Sequence, residues 1–189
     1  MILRQWYRKK YIFYGVALLM VLVFFTSGTR EYNIGATIRK TKPEVVWEYV
    51  ADFSKTRALN PTVLSFRVIS DTGHTHDWRY TVEYSERMFH WPYFLNKAKA
   101  EYIVTKSMPG EEDPKYTIES KHTTCFFTEF YCLISYSEFT CRADGDDTYC
   151  EEHIEYQCPP FLHFFCRKEL EQQRQTVMHN LTTIFSKNE

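Results

Sequence analysis

Six cysteines, all between positions 125 and 166, constrain this chain more than any other feature: Cys125, Cys132, Cys141, Cys150, Cys158 and Cys166. The number is even, no C-x-x-C pair occurs, and spacings of 7, 9, 9, 8 and 8 do not match a zinc framework. They read as half-cystines of a domain that folds in an oxidising compartment. One pairing follows from local geometry. Arg142-Ala-Asp-Gly-Asp-Asp-Thr-Tyr149 reads as a hairpin turn centred on Gly145-Asp146, where glycine supplies the positive φ of a tight turn. Folding about that point sets Cys141 opposite Cys150, at the spacing a cross-strand bridge needs. Extending the hairpin brings Cys132 near Cys158, out of register by one, so that bridge requires a bulge. It leaves Cys125 for Cys166, and this set is slightly favoured. The rivals are Cys125–Cys132 across a turn at Thr128-Glu129 with Cys158–Cys166, and the crossed set Cys125–Cys158 with Cys132–Cys166.

The remaining pattern is mostly strand. Trp78, Tyr80, Val82 and Tyr84 alternate with Arg79, Thr81, Glu83 and Ser85, a period of two. Tyr32–Arg39, Leu64–Ile69, Ala98–Val104, Tyr116–Lys121, Phe130–Cys141 and Thr148–Cys158 also read as strands, with turns such as Met108–Pro114 between them. Thr41-Lys-Pro-Glu44 has the form of a capping box with proline in the first turn, opening an amphipathic helix through Ala51. Beyond Pro159-Pro160, Leu162, Cys166, Leu170, Val177, Leu181 and Ile184 recur at spacings of 4, 4, 7, 4 and 3. That is one buried stripe on a helix of about seven turns.

This order of elements, with Pro43-Glu-Val-Val-Trp-Glu-Tyr-Val-Ala-Asp-Phe53 opening the helical part, resembles the helix-grip superfamily. That superfamily includes the START lipid-transfer domains, the birch-pollen allergen group and the polyketide cyclases. The resemblance covers residues 31–187. It implies an α+β fold in which a curved antiparallel β-sheet wraps a long C-terminal helix, with a cavity between them for a lipid or other hydrophobic small molecule. The better-known members are mostly cytosolic, so their particular ligands do not carry over to a cysteine-rich chain of this kind.

The N-terminus points to the secretory pathway. Residues 1–10 form a basic tail with Arg4, Arg8, Lys9 and Lys10, expected in the cytoplasm. The uncharged stretch 11–29 would span roughly 28 Å as a helix, close to one hydrocarbon core. It reads as a transmembrane signal-anchor, with a signal peptide cleaved near Thr26-Ser-Gly28 as the competing reading. Asn180-Leu-Thr182 is a glycosylation sequon, whereas proline spoils Asn60-Pro-Thr62. A single-pass protein with its C-terminal domain luminal or extracellular is expected, in the endoplasmic reticulum, an endosome or the plasma membrane. Beyond residue 30 the chain keeps 18 of its 23 basic residues against all 24 acids, which argues against a nucleic-acid partner.

Strand parity turns Tyr80, Tyr84 and Tyr102 inward with Val82, Ala100 and Val104. Their hydroxyls would either orient a ligand's polar end or be satisfied within a filled aromatic core. The segment Met88-Phe-His-Trp-Pro-Tyr-Phe-Leu95 breaks the alternation and is almost wholly apolar. With Phe89, Trp91, Tyr93 and Phe94 it reads as a lid, a membrane-contact loop or a packed crossover. Catalytic signatures are missing: there is no G-x-S-x-G, no P-loop and no dinucleotide fingerprint. His74-Thr-His76 has no third ligand at metal spacing, so neither a metal nor a cofactor is expected. The reading is a membrane-tethered binding protein. A polyketide cyclase- or hydrolase-like enzyme using polar cavity residues, or an interaction domain with a filled cavity, is the alternative.

Overall fold

The structure, a computed structural model, describes residues 9–19, 26–74, 77–107, 114–126 and 131–187. Seven antiparallel strands form one sheet: β1 (Gly28–Ile38), β2 (Val63–His74), β3 (Asp77–Arg87), β4 (Leu95–Lys106), β5 (Tyr116–Phe126), β6 (Tyr131–Asp144) and β7 (Asp147–Cys158). Their order is β1-β7-β6-β5-β4-β3-β2, a meander closed by the first strand on the last. Helices α1 (Pro43–Ala51) and α2 (Thr56–Leu59) cross from β1 to β2, and α3 (His163–Ser186) closes the chain.

Period-two burial runs through the sheet as the alternation requires: β7 reads buried at Thr148, Cys150, Glu152, Ile154, Tyr156 and Cys158. Register shifts at Val63/Ser65 and Val68/Ser70 bend β2. The inner face packs Val82, Ala100, Val104, Ile118 and Phe139 against Val46, Trp47 and Ala51 of α1 and Met178 and Leu181 of α3. The capping box expected at Thr41 does not form. Lys40 turns with φ 47°, and the Thr41 hydroxyl donates to the Arg39 carbonyl (2.8 Å) instead of accepting from an N–H of the helix's first turn. Pro43 does open α1, and Glu44 pairs with Lys106 at 3.1 Å.

The disulfides are Cys141–Cys150, Cys125–Cys132 and Cys158–Cys166. The first closes the Gly145 hairpin, whose glycine has φ 63°. The expected Cys132–Cys158 and Cys125–Cys166 bridges are corrected. No bulge interrupts the β6–β7 ladder between Asp144/Asp147 and Ser135/Tyr156. With that parity kept, Cys132 lies on the outer face, directly opposite Cys125 of β5 at a Cα separation of 4.0 Å. Cys158 lies on the inner face beside the first turn of α3, where Cys166 reaches it. Three bridges with no free thiol among the described residues mark a domain of an oxidising compartment, extracellular or within the secretory pathway.

Residues 9–19 are helical. Among the described residues no helix is long and apolar enough to cross a membrane. Residues 20–25 of the expected span lie outside them, as do His76, most of the Met108–Pro114 turn and the Thr128-Glu129 turn.

Candidate functional site: a two-part cavity

The inward faces of β3, β4, β5, β6 and β7 and one side of α3 line a chamber of about 170 Å³. Tyr80 and Tyr102 stack at 4.8 Å with an interplanar angle of 11°, and the Tyr80 hydroxyl donates to the Ala51 carbonyl (2.7 Å). Tyr80 is thereby committed to holding the sheet on α1, and only Tyr84 and Tyr102 of the three tyrosines line the chamber. The Tyr84 hydroxyl shares a hydrogen bond with Nδ1 of His122 (2.9 Å), whose Nε2 lies 2.9 Å from the Ser120 hydroxyl.

Arg174 and Glu152 form an ion pair across the chamber (Nη1–Oε1 3.1 Å), and the Ser137 hydroxyl donates to the same carboxylate oxygen (2.6 Å). Arg174 Nε is buried and donates to no group among the described residues. Gln173 donates to Glu86 at 3.2 Å. Burial dominates the titration of this cluster. It pushes His122 down to about 3, with Arg174 adding to the effect, so the imidazole is neutral. It lifts the Glu86 carboxyl to about 7 against the opposing pull of Arg174 and Gln173. Tyr84 and Tyr102 are raised, chiefly by burial, and keep their protons as donors. Burial works against the Arg174 charge, but Glu152, the tyrosines and Glu86 outweigh it and raise its pKa.

A second chamber, of about 250 Å³, is mainly apolar, with Trp91, Phe94, Phe126, Leu133, Phe165 and Leu170 among its walls. Glu86, Thr124, Ser135, Tyr156 and Gln173 border both chambers, so the two meet. By contrast, a larger depression of about 630 Å³ on the outer face is lined by Glu101, Glu119, Lys121 and Glu138 and lies open to solvent.

Met88, Trp91 and Phe94 of the Met88–Leu95 segment line the apolar chamber. Met88 N–H donates to Phe94 O (3.3 Å) and Phe94 N–H to Trp91 O (3.0 Å). Glu169 of α3 accepts from the Phe89 and His90 amides and pairs with His90 Nδ1 at 2.8 Å. Trp91 lies 5.0 Å from Phe165 and 5.6 Å from Phe94. Phe89, Trp91 and Phe94 remain about half exposed, and Tyr93 is 96% exposed. Asn180 sits on α3 with Nδ2 donating to Leu59 O (2.9 Å), so a glycan there would have to be added before the helix docks.

Arg174, Gln173, His122, Glu86 and Glu152 were not singled out from sequence. The signal lay in the seven-residue gap of the α3 stripe. Between Leu170 and Val177 the inward positions carry Gln173 and Arg174, which a filled apolar seam would not tolerate. The inward parity of Glu152 on β7 carried the same message.

No protein-family model and no curated protein matches the sequence. Solved structures do. The protein TTHA0849 from Thermus thermophilus aligns with 85% of this chain and 99% of its own at a TM-score of 0.60 and 12% identity. A START superfamily protein from Mycobacterium smegmatis aligns with 86% of this chain and 100% of its own at 0.56 and 12%. The chain has the helix-grip fold. A third helix-grip structure, norcoclaurine synthase from Thalictrum flavum in complex with dopamine and hydroxybenzaldehyde, covers 89% of this chain and 93% of its own at 0.54 and 7% identity. Identities this low establish the fold alone.

Proposed function

We propose that this helix-grip domain binds a lipid or another hydrophobic small molecule between sheet and helix, and that the part of the apolar stretch 11–29 that precedes β1 tethers it to a membrane, with the domain on the luminal or extracellular side, Gly28 and Thr29 belonging to the sheet. The observation that carries the reading is the junction of two unlike chambers. A deep one supplies tyrosine hydroxyls and an arginine donor, and an outer one supplies aromatic and aliphatic walls. An amphiphile would seat its polar end near Tyr84, Tyr102 and Arg174 and its apolar body against Trp91, Leu133 and Phe165. The three disulfides and the apolar N-terminal stretch support the address.

Native mass spectrometry of the gently extracted full chain tests the reading. A co-purified amphiphile is expected, and it should be lost when Leu133→Trp fills the outer chamber. A chain that carries no ligand and leaves an apolar fluorescent probe unbound in both forms would overturn the binding function. A cyclase- or hydrolase-like reading draws on Glu86, whose carboxyl titrates near neutrality beside a polar chamber. Recovery of a chemically altered ligand, abolished by Glu86→Gln, would favour it.

A further inference from the structure

The ends of the strands arrange three separate features on one side of the domain. Gly28, Val63, Arg87, Leu95, Phe126, Tyr131 and Cys158 all terminate their strands there. The apolar chamber opens between those ends. Around the opening stand exposed Phe89, Trp91, Tyr93, Phe94, Leu95, Phe161 and Phe164. The third feature is the path of the chain. Gly28 opens β1 opposite Cys158, and Cys158 is bridged to Cys166 at the start of α3, two residues beyond Phe164. The apolar stretch therefore leaves the domain beside this aromatic rim.

We propose that the cavity mouth is held face-down on the bilayer that the chain's own apolar stretch enters, with the aromatic rim lying in the interfacial layer. The proposal rests on the tether reading above. Three residue steps separate Phe25 from Gly28, at most about 11 Å of extended chain, so the domain has little room to stand off or turn over. The rim has the composition of an interfacial belt, in which Trp and Tyr rings sit at headgroup level. Exposed Arg87, Lys97 and Lys168 flank it and complement anionic headgroups. The Lys168 ammonium lies over the Phe164 ring, 4.5 Å from its centroid. The opposite end, at the Asp144-Gly145-Asp146 turn, presents exposed polar residues instead.

This orientation narrows the ligand to a lipid of the adjoining leaflet, taken up without crossing water. A lipid headgroup lies at the level of the mouth and enters first, and the acyl part follows. That order matches a polar chamber placed deep and an apolar one placed outside.

The test places a reporter on the outermost rim residue of the full chain. Trp6→Phe, Trp91→Phe and Tyr93→Trp leave Trp47 and Trp78 as the only other indoles. Trp78 lies nine residues, about 30 Å, along β3 from the mouth. In anionic phosphatidylcholine/phosphatidylserine vesicles brominated in the acyl chains, the reporter's emission should shift to the blue and fall roughly twofold relative to unbrominated vesicles. Phe161→Ser with Phe164→Ser, both exposed, should restore much of it. Equal emission in the two kinds of vesicle overturns the docking. Quenching that persists after a chain loaded with brominated lipid is moved into unbrominated vesicles comes from lipid in the cavity, and quenching only of that kind also overturns it. Alkaline carbonate extraction reads the tether separately: a chain that stays in the membrane with an unquenched reporter refutes the docking but not the tether.

Discussion

Replacing Glu152 by Gln isolates the energetics of the deep chamber. The Glu152 side chain is 6% exposed and its Arg174 partner 22%, with 3.1 Å between them. The amide keeps the shape and can still accept from the Ser137 hydroxyl, which lies 2.6 Å from Oε1. What it removes is the countercharge. Breaking a buried pair by removing one partner costs about 3–5 kcal/mol, because the remaining charge is left uncompensated. Water reaching the Arg174 side chain places this site at the lower end, about 3 kcal/mol, or a fall in Tm of roughly 6–12 °C for a domain of this size. Arg174→Met alone should cost a similar amount by orphaning the carboxylate. The double variant should then lose much less than the two singles together, since neither charge is left behind. Urea unfolding of the four forms, with disulfides intact, measures the coupling. Single losses that add to within about 0.5 kcal/mol would refute the premise that the pair sits in a poorly solvated chamber.

Three further outcomes follow from the same structure. Glu86→Gln should flatten the pH profile of stability. The wild-type carboxyl, raised from 4.5 to about 7, contributes stability that is present below pH 4.5 and lost as pH rises through 7. The variant should therefore gain on wild type by up to about 3 kcal/mol at pH 8 and not at pH 4, as read by denaturant midpoints, and equal profiles would count against a desolvated Glu86. His122→Asn should act in the opposite window. The lowered His122 pKa means its contribution is present above pH 6.5 and lost as pH falls towards 3, so the variant should resist acid unfolding, followed by circular dichroism. Gly73→Ala should destabilise by about 1–3 kcal/mol in thermal melts, because Gly73 has φ 121° and an added Cβ would fall 2.3 Å from the Asp77 carbonyl oxygen.

Much of the fold was legible because its signals are local. Period-two alternation marks strands such as Asp77–Arg87, since successive side chains point to opposite faces. The Gly145 turn sets the β6–β7 register, and with it the Cys141–Cys150 bridge, because partners in a hairpin are counted outward from the turn. The apolar stripe beyond Pro160 specifies a closing helix for the same reason of periodicity.

Tertiary structure decided what depends on which faces meet. The other four cysteines divide between the two sides of the sheet, Cys125 with Cys132 outside and Cys158 with Cys166 inside, and spacing alone does not carry that division. The polar chamber draws Glu86 from β3, His122 from β5, Glu152 from β7 and Arg174 from α3, residues far apart in the chain. Each looks ordinary in its own segment, and only burial turns the four into a site, by removing the water that would otherwise screen their charges. The aromatic rim shows the same dependence. Trp91 and Phe165 are 74 positions apart, and it is the closure of α3 over the sheet that sets their rings 5.0 Å from each other beside the point where β1 begins.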